Sequence, residues 1–332
     1  MTRVLVTGAA GYVGSHACKA LARAGFEPIG VDSFQRAGLR QLPWAPLEQA
    51  DINDFGALAR VLDRFRPDAA MHFAAFAYVG ESVGLPGPYY RNNVAGSLTL
   101  FEALRAANVD CWVFSSSCAV YGMPERLPMD EEHPQRPVNP YGAGKLMVER
   151  MLRDFDAGYG VRSVALRYFN AAGADPDGEL GECHEPETHA IPLAIRTALG
   201  EQDTFDLFGT DYPTADGTAI RDYVHVTDLA RAHVSALEYL LRGGTSAAFN
   251  LGTGTGHSVL EVLDAVEAVT GRPVNRRASP RRAGDPPVLV ADATRARQVL
   301  GWQAGIPVLR DIVRTAYDWH VRWRTTVPVQ AH

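Results

Sequence analysis

The chain has 332 residues, of which 46% are hydrophobic and 21% charged. That balance excludes disorder, collagen and coiled coil, and at about 150 residues per domain the length suggests roughly two domains. Thirty-two Lys and Arg against 38 Asp and Glu leave a net charge of −6, so no global field is present to hold nucleic acid or an acidic membrane surface.

Short apolar runs at 4–7, 28–32, 69–75, 112–116 and 163–169 predict buried strands. Between them, amphipathic stretches near 14–24, 54–65, 89–107 and 140–156 predict helices. This alternation predicts a doubly wound parallel sheet with helices on both faces, a Rossmann-like α/β domain spanning 1–170. The turn formers of Ala171-Ala-Gly-Ala-Asp-Pro-Asp-Gly178 mark the expected exit. Residues 171–332 then read as a smaller, loop-rich α/β substrate domain, some of whose segments cross back to the first. Its expected helices lie near 190–199, 226–241, 257–270 and 293–300, with Trp319 and Trp323 as packing residues. Cys18, Cys111, Cys118 and Cys183 form no CxxC pair and read as reduced thiols. Met1 leads directly into a strand-like run rather than a signal sequence, and no apolar run approaches the ~18 residues of a membrane span. The expected location is the cytoplasm.

Thr7-Gly8-Ala9-Ala10-Gly11-Tyr12-Val13-Gly14 follows the first strand and opens a helix. Gly8 permits a tight turn, Gly11 lets the backbone approach a pyrophosphate, and Gly14 lets the helix pack on the strand. Asp32 ends the next strand, where a carboxylate binds adenosine ribose hydroxyls and repels a 2′-phosphate. NAD is therefore expected, although Arg36 and Arg40 lie close enough to leave NADP open. Asp51 and Ile52 reach the adenine or belong to an ordinary loop.

Asn139-Pro-Tyr-Gly-Ala-Gly-Lys145 predicts a helix start, with Asn139 as N-cap and Pro140 in the first turn. Tyr141 and Lys145 share a face with Val148, Leu152 and Phe155. A lysine in that apolar stripe either snorkels or serves chemistry. A phenol of pKa near ~10 becomes a base at neutral pH only with about 4 kcal/mol of help, which two nearby cations can supply. Phe114-Ser-Ser-Ser117 ends another strand, so Ser117 either relays a proton to Tyr141 or caps a loop.

In that order, the glycine turn, the serine strand end and the Tyr-xxx-Lys helix resemble the extended short-chain dehydrogenase/reductase family. His72-Phe-Ala-Ala, Val79-Gly-Glu-Ser-Val83, Leu166-Arg-Tyr-Phe-Asn170, Phe208-Gly-Thr-Asp-Tyr-Pro-Thr-Ala-Asp-Gly-Thr218, Arg221-Asp-Tyr-Val-His-Val-Thr-Asp228, Asn250-Leu-Gly-Thr-Gly254 and Arg281-Arg-Ala-Gly-Asp285 narrow the resemblance to the UDP-glucose 4-epimerases within it. The resemblance implies NAD-dependent inversion of C4 of a UDP-hexose, with Ser117, Tyr141 and Lys145 catalytic. It implies cofactor contacts from Gly8, Gly11, Tyr12, Val13, Gly14, Asp32, Asp51, Ile52, Phe73, Ala74, Asn93, Ser115, Tyr141, Lys145 and Tyr168. For the substrate it implies Ser117, Tyr141, Asn170, His189, Phe208, Arg221, Arg282 and Asp285. Arg221 and Arg282 would meet the diphosphate, Asp285 the uridine ribose and Phe208 the uracil. A homodimer through the helices near 89–107 and 140–156 is likewise implied.

The chain departs from the pattern at Ser33, where many relatives have Asn, at Ala77, where some have Lys, and at His189, where some have Asn. Leu289, at a pocket-wall position, leaves N-acetylated sugars and pentoses open. Rival readings are a 4-epimerase of UDP-N-acetylhexosamine or a UDP-pentose, a sugar-nucleotide dehydratase, disfavoured by Cys118-Ala119 after the serine strand end, and a non-catalytic dinucleotide sensor. Glu182-Cys-His-Glu-Pro-Glu-Thr-His189 fits no zinc spacing, and no metal is expected. His233 reads as a core histidine, and Arg276 and Arg277 as a solvated loop, with no nucleic acid expected.

Overall fold

The computed structural model describes residues 1–36, 39–184, 186–282 and 284–326. The apolar runs fold as β1 (Arg3–Thr7), β2 (Glu27–Asp32), the short β3 (Leu47–Gln49), β4 (Ala69–His72), β5 (Cys111–Ser115) and β6 (Arg162–Tyr168). The helices between them are α1 (Tyr12–Arg23), α2 (Phe55–Phe65), α3 (Val79–Gly84), α4 (Pro86–Tyr90), α5 (Gly96–Ala106) and α6 (Pro140–Tyr159). The rest of the chain forms β7 (Asn170–Ala172), α7 (Ala190–Ala198), β8 (Phe205–Phe208), β9 (Ile220–Arg221), β10 (Tyr223–His225), α8 (Val226–Leu241) and β11 (Ala247–Leu251). It continues through β12 (His257–Ser258), α9 (Val259–Thr270), β13 (Arg276–Ser279), β14 (Val288–Leu289), α10 (Thr294–Leu300) and α11 (Leu309–Thr326).

The main sheet runs β11-β6-β5-β4-β1-β2-β3, and every neighbouring pair is parallel. Val4, Leu5 and Val6 are wholly buried because helices cover both faces. One face packs Leu58, Leu62, Leu100, Leu104, Val148 and Leu152 of α2, α5 and α6. Against the other lie Cys18 and Leu21 of α1 with Leu229, Ala236 and Leu240 of α8. The expected doubly wound sheet is present, and β11, from late in the chain, completes it beside β6.

Register brings the functional ends together. Thr7 pairs with His72, His72 with Phe114, and Ser115 with Leu166. The glycine turn, Phe73, Ser116 and Ser117 therefore leave one edge of the sheet. The order of strand connection reverses between β1 and β4, at the crevice where such sheets bind ligands.

A separate core joins α7, α9 and α11 through Ile191, Ile195, Val262, Val266, Ile312 and Val313. Several sequence expectations need correcting. The helix expected over 89–107 is α4, a π turn over Arg91–Ala95 and α5 in succession. The strand expected to reach residue 75 stops at His72. Arg276 and Arg277 stand on a strand, β13, paired in parallel with β8, and not on a loop. Their side chains are exposed, so the strand is formed by backbone pairing rather than by an apolar run.

Candidate active site

Gly8 has φ +71°, and a Cβ there would stand 2.6 Å from the Ala74 nitrogen. At Gly14 a Cβ would stand 2.1 Å from the Gly8 carbonyl oxygen, so helix and turn touch through bare backbone. At Gly11 it would meet only that same oxygen, at 3.2 Å. No side chain caps the N-terminus of α1, and no acid lies in its first turn. A positive helix end facing open backbone suits a pyrophosphate. Tyr12 donates its hydroxyl to the Gly173 carbonyl at 2.5 Å, tying α1 to the chain beyond β7. Val13 is half-buried beside it.

Asp32 accepts from the Ala10 amide at 3.0 Å and from the Phe34 amide at 2.8 Å. Burial pushes its carboxyl up, and the backbone amides oppose that shift. Arg36 is engaged elsewhere, paired with Glu81 at 2.7 Å and lying 4.1 Å over the Phe76 ring. Asp51 accepts from Asn53 and from Gln35, while Ile52 is buried under it. Asn93 spends its amide on the Phe76 backbone, accepting at 2.8 Å and donating at 2.9 Å. It braces the loop that carries half-buried Phe73 and Ala74 across the glycine turn.

On α6, Asn139 accepts from the Gly142 amide and Pro140 opens the first turn, the cap the sequence predicts. Tyr141 and Lys145 are 9% and 3% exposed, while Val148 and Leu152 continue their stripe into the core. Lys145 does not snorkel. Its Nζ donates to the Ser115 carbonyl at 2.6 Å and lies 4.8 Å from the Phe114 ring centre and 5.8 Å from that of Tyr141. Burial pushes the ammonium down to about 7, with Glu149 opposing. Burial also pushes the Tyr141 phenol up, Tyr168 adds to that, and a hydrogen bond from Ser117 opposes it. Desolvation thus outweighs the help expected from the lysine in the protein alone. Ser117 hydrogen-bonds Tyr141 and also accepts from the Ala119 amide at 3.2 Å, the loop-capping contact the sequence allowed. The Ser115 and Tyr168 hydroxyls lie 2.7 Å apart.

The residues expected at the nucleotide end also gather. Arg221 on β9 pairs with Asp285 at 2.5 Å, and the Arg282 guanidinium lies 4.2 Å over the Phe208 ring. Asn170 begins β7, whose neighbour β10 follows β9 directly. Leu289 pairs in register with Arg221 and packs against the cluster of Cys118, Tyr121 and Phe169. Cys118 feels both Ser117 and the charge of Arg221, so the Ser117–Tyr141 and Arg221–Asp285 groups adjoin.

His189 stands at the N-cap position of α7 with its side chain turned to Glu182 at 2.7 Å and Glu187 at 2.8 Å, while His184 meets Glu182 at 2.9 Å. These four side chains offer ligand-type atoms all within 4.8 Å of one another, a convergence their spacing does not announce. The two carboxylates raise half-buried His189 well above the ordinary imidazole range, against partial desolvation. His233 is fully buried with its ring 4.5 Å from that of Phe73. Sequence reasoning missed Glu149, which the i, i+4 step from Lys145 could have found. It also missed Ser82, whose hydroxyl meets the Tyr141 amide at 3.3 Å.

Residues 4–252 match the NAD dependent epimerase/dehydratase family. The chain is 54% identical over 319 residues to a UDP-glucose 4-epimerase of Rhizobium meliloti (strain 1021), covering 96% of this chain and 97% of the relative. Among solved structures it resembles UDP-glucose 4-epimerase from Brucella ovis in complex with NAD, at 49% identity and TM-score 0.93, covering 96% and 98% of the two chains. It also resembles UDP-glucose-4-epimerase from Stenotrophomonas maltophila with bound NAD and formylated UDP-arabinopyranose, at 40% identity and TM-score 0.93, covering 98% and 100%. The chain belongs to the NAD dependent epimerase/dehydratase family.

Proposed function

We propose that this protein is an NAD-dependent 4-epimerase that interconverts UDP-galactose and UDP-glucose. The observation that carries the reading is one continuous constellation on the sheet edge. Ser117, Tyr141 and Lys145 stand between the bare glycine turn and the Arg221, Arg282, Asp285 and Phe208 group. The relatives named for this activity match over nearly the whole chain.

Bound NAD supplies the acceptor for the C4 hydride and its donor on return, so the reaction has no net redox change. Gly8, Gly11 and Gly14 leave backbone room for its pyrophosphate, Asp32 takes the adenosine ribose and Lys145 the nicotinamide ribose. Tyr141, as phenolate, removes the 4-OH proton, and Ser117 hands the proton across. The 4-keto sugar then turns over in the pocket, and Tyr141 returns the proton. Arg221 and Arg282 hold the diphosphate throughout, a task suited to planar guanidinium donors. Because Arg221 already pairs with Asp285, binding exchanges that partner for phosphate and frees Asp285 toward the uridine ribose.

Proton NMR of purified protein with UDP-galactose and no added NAD tests this. Appearance of UDP-glucose is the expected result and also reports a retained cofactor. Failure to convert even with NAD supplied would reject the hexose reading. A second reading, a UDP-pentose or UDP-N-acetylhexosamine substrate, draws on Leu289, half-buried at the wall beside Cys118 and Phe169, and on the arabinopyranose bound by one relative. We further infer a cytoplasmic homodimer. Tyr90, Leu98 and Met147 stand exposed on α4, α5 and α6, and all four cysteines are free. Among the described residues no helix is long and apolar enough to cross a membrane.

A further inference from the structure

Beneath the serine strand end lies a polar network that the proposed chemistry does not use directly. Glu149, one turn beyond Lys145 on α6, is 3% exposed. It accepts from the Ser116 hydroxyl at 2.6 Å and forms a two-pronged pair with Arg167 of β6, at 3.0 and 2.6 Å. Arg167 also donates to the Tyr121 hydroxyl at 3.0 Å, and Tyr121 donates to Asn250 of β11 at 2.6 Å. Glu149 therefore bonds to the residue between Ser115, which holds Lys145, and Ser117, which faces Tyr141.

We propose that Glu149 is a positioning residue for this reaction: through Ser116 it fixes the strand end that orients Ser117 and Lys145, and it sets a carboxylate one helical turn from Lys145. The proposal rests on the epimerase reading above.

Among the described residues, neither duty is filled by another neighbour. The groups facing Lys145 are Tyr141 and Glu149 from its own helix, the Phe114 ring and Ser115 carbonyl of β5, His72 of β4 and His233 of α8. Burial holds both imidazoles neutral, at about 3 and about 4. Glu149 is thus the carboxylate whose field opposes desolvation at Lys145. Arg167 satisfies that carboxylate, and a buried charge without such a partner is costly.

The test is the pH dependence of kcat in the NAD-loaded enzyme. Loss of the Lys145 proton gives a descending alkaline limb. In Glu149→Gln the lysine loses its supporting charge, so this limb moves toward acid by about one pH unit or more, with roughly ten-fold lower kcat at pH 8 and recovery at lower pH. Ser116→Ala keeps the charge and loses the tether, so kcat falls several-fold with the limb in place. Because Glu149→Gln strands a buried guanidinium, the double variant Glu149→Gln/Arg167→Gln is measured beside it and moves the limb the same way by less. A limb unmoved in whichever of these two variants folds overturns the proposal. A wild-type protein that converts no UDP-hexose overturns it together with the reading it rests on, whereas an active wild type with an unmoved limb overturns it alone.

Discussion

Asp32 performs two tasks with one carboxylate. It receives the Ala10 and Phe34 amides, which shapes the glycine turn, and on the proposed function its remaining lone pairs would accept from a ribose. Asp32→Arg is therefore expected to weaken NAD binding and to shift preference toward the 2′-phosphorylated dinucleotide. Calorimetric titration of cofactor-stripped protein with both dinucleotides checks this, and an unchanged preference would reject the ribose contact. Tyr141 presents the sharper case, because burial alone drives its phenol the wrong way for a base. On the proposed mechanism the help would come from the charges brought in with the cofactor, added to Lys145 and Ser117. Removing the hydroxyl in Tyr141→Phe is expected to leave bound NAD in place, read from its absorbance, while turnover falls by about 10³-fold. Near-normal turnover in that variant would take Tyr141 out of the reaction.

At the scale of elements, bare backbone decides where α1 may lie. Gly14→Ala puts a methyl group 2.1 Å from the Gly8 oxygen, a clash with backbone that no rotamer relieves. We expect a loss of about 2 kcal/mol or more, and loss of retained NAD with it. Gly158→Ala in α6 is the counterpart, since nothing lies within 4 Å of a Cβ there. It is expected to raise stability by about 0.5–1 kcal/mol, so thermal melts of the pair should shift in opposite directions. The same contrast explains which elements could be read from the chain. β1, β2, β4, β5 and β6 are apolar because both sheet faces are covered, and the Asn139 cap with the Tyr141 and Lys145 stripe declares α6. β13 carries Arg276 and Arg277 and exists only because β8 supplies backbone partners. α11 buries Leu309, Ile312, Val313, Ala316 and Trp319 at helical spacing, but the charges between them dilute the signal. At the site, the glycine turn and the Tyr-xxx-Lys step are local patterns. The Arg221–Asp285 pair spans 64 positions and the Glu149–Arg167 pair lies inside the core, so neither could be found from spacing alone.

The whole molecule carries a burden that no single element shows. His16, His72, His225 and His233 are each no more than 3% exposed. Burial pushes them down to about 4, 3, 4 and 4. An unfolded imidazole titrates near 6.5, so below that pH the unfolded chain binds protons that the folded chain refuses. Stability conferred by these groups is fully present above pH 6.5 and is lost as pH falls through the window from 6.5 to about 3. His189, raised above the ordinary range, works in the opposite sense, but it is protonated in both states below pH 6.5 and does not enter this window. Once all four unfolded imidazoles are charged, the slope approaches about 5 kcal/mol per pH unit. Set against a typical stability of roughly 5–15 kcal/mol, that brings acid unfolding to about pH 5, before most carboxylates titrate. Calorimetric melts at pH 7.5, 6 and 5 should therefore fall steeply, and repeating them in buffers of different ionisation heat should count three or four protons taken up on unfolding. A melting temperature constant to within a few degrees over that range would mean that these imidazoles are reached by solvent without global unfolding.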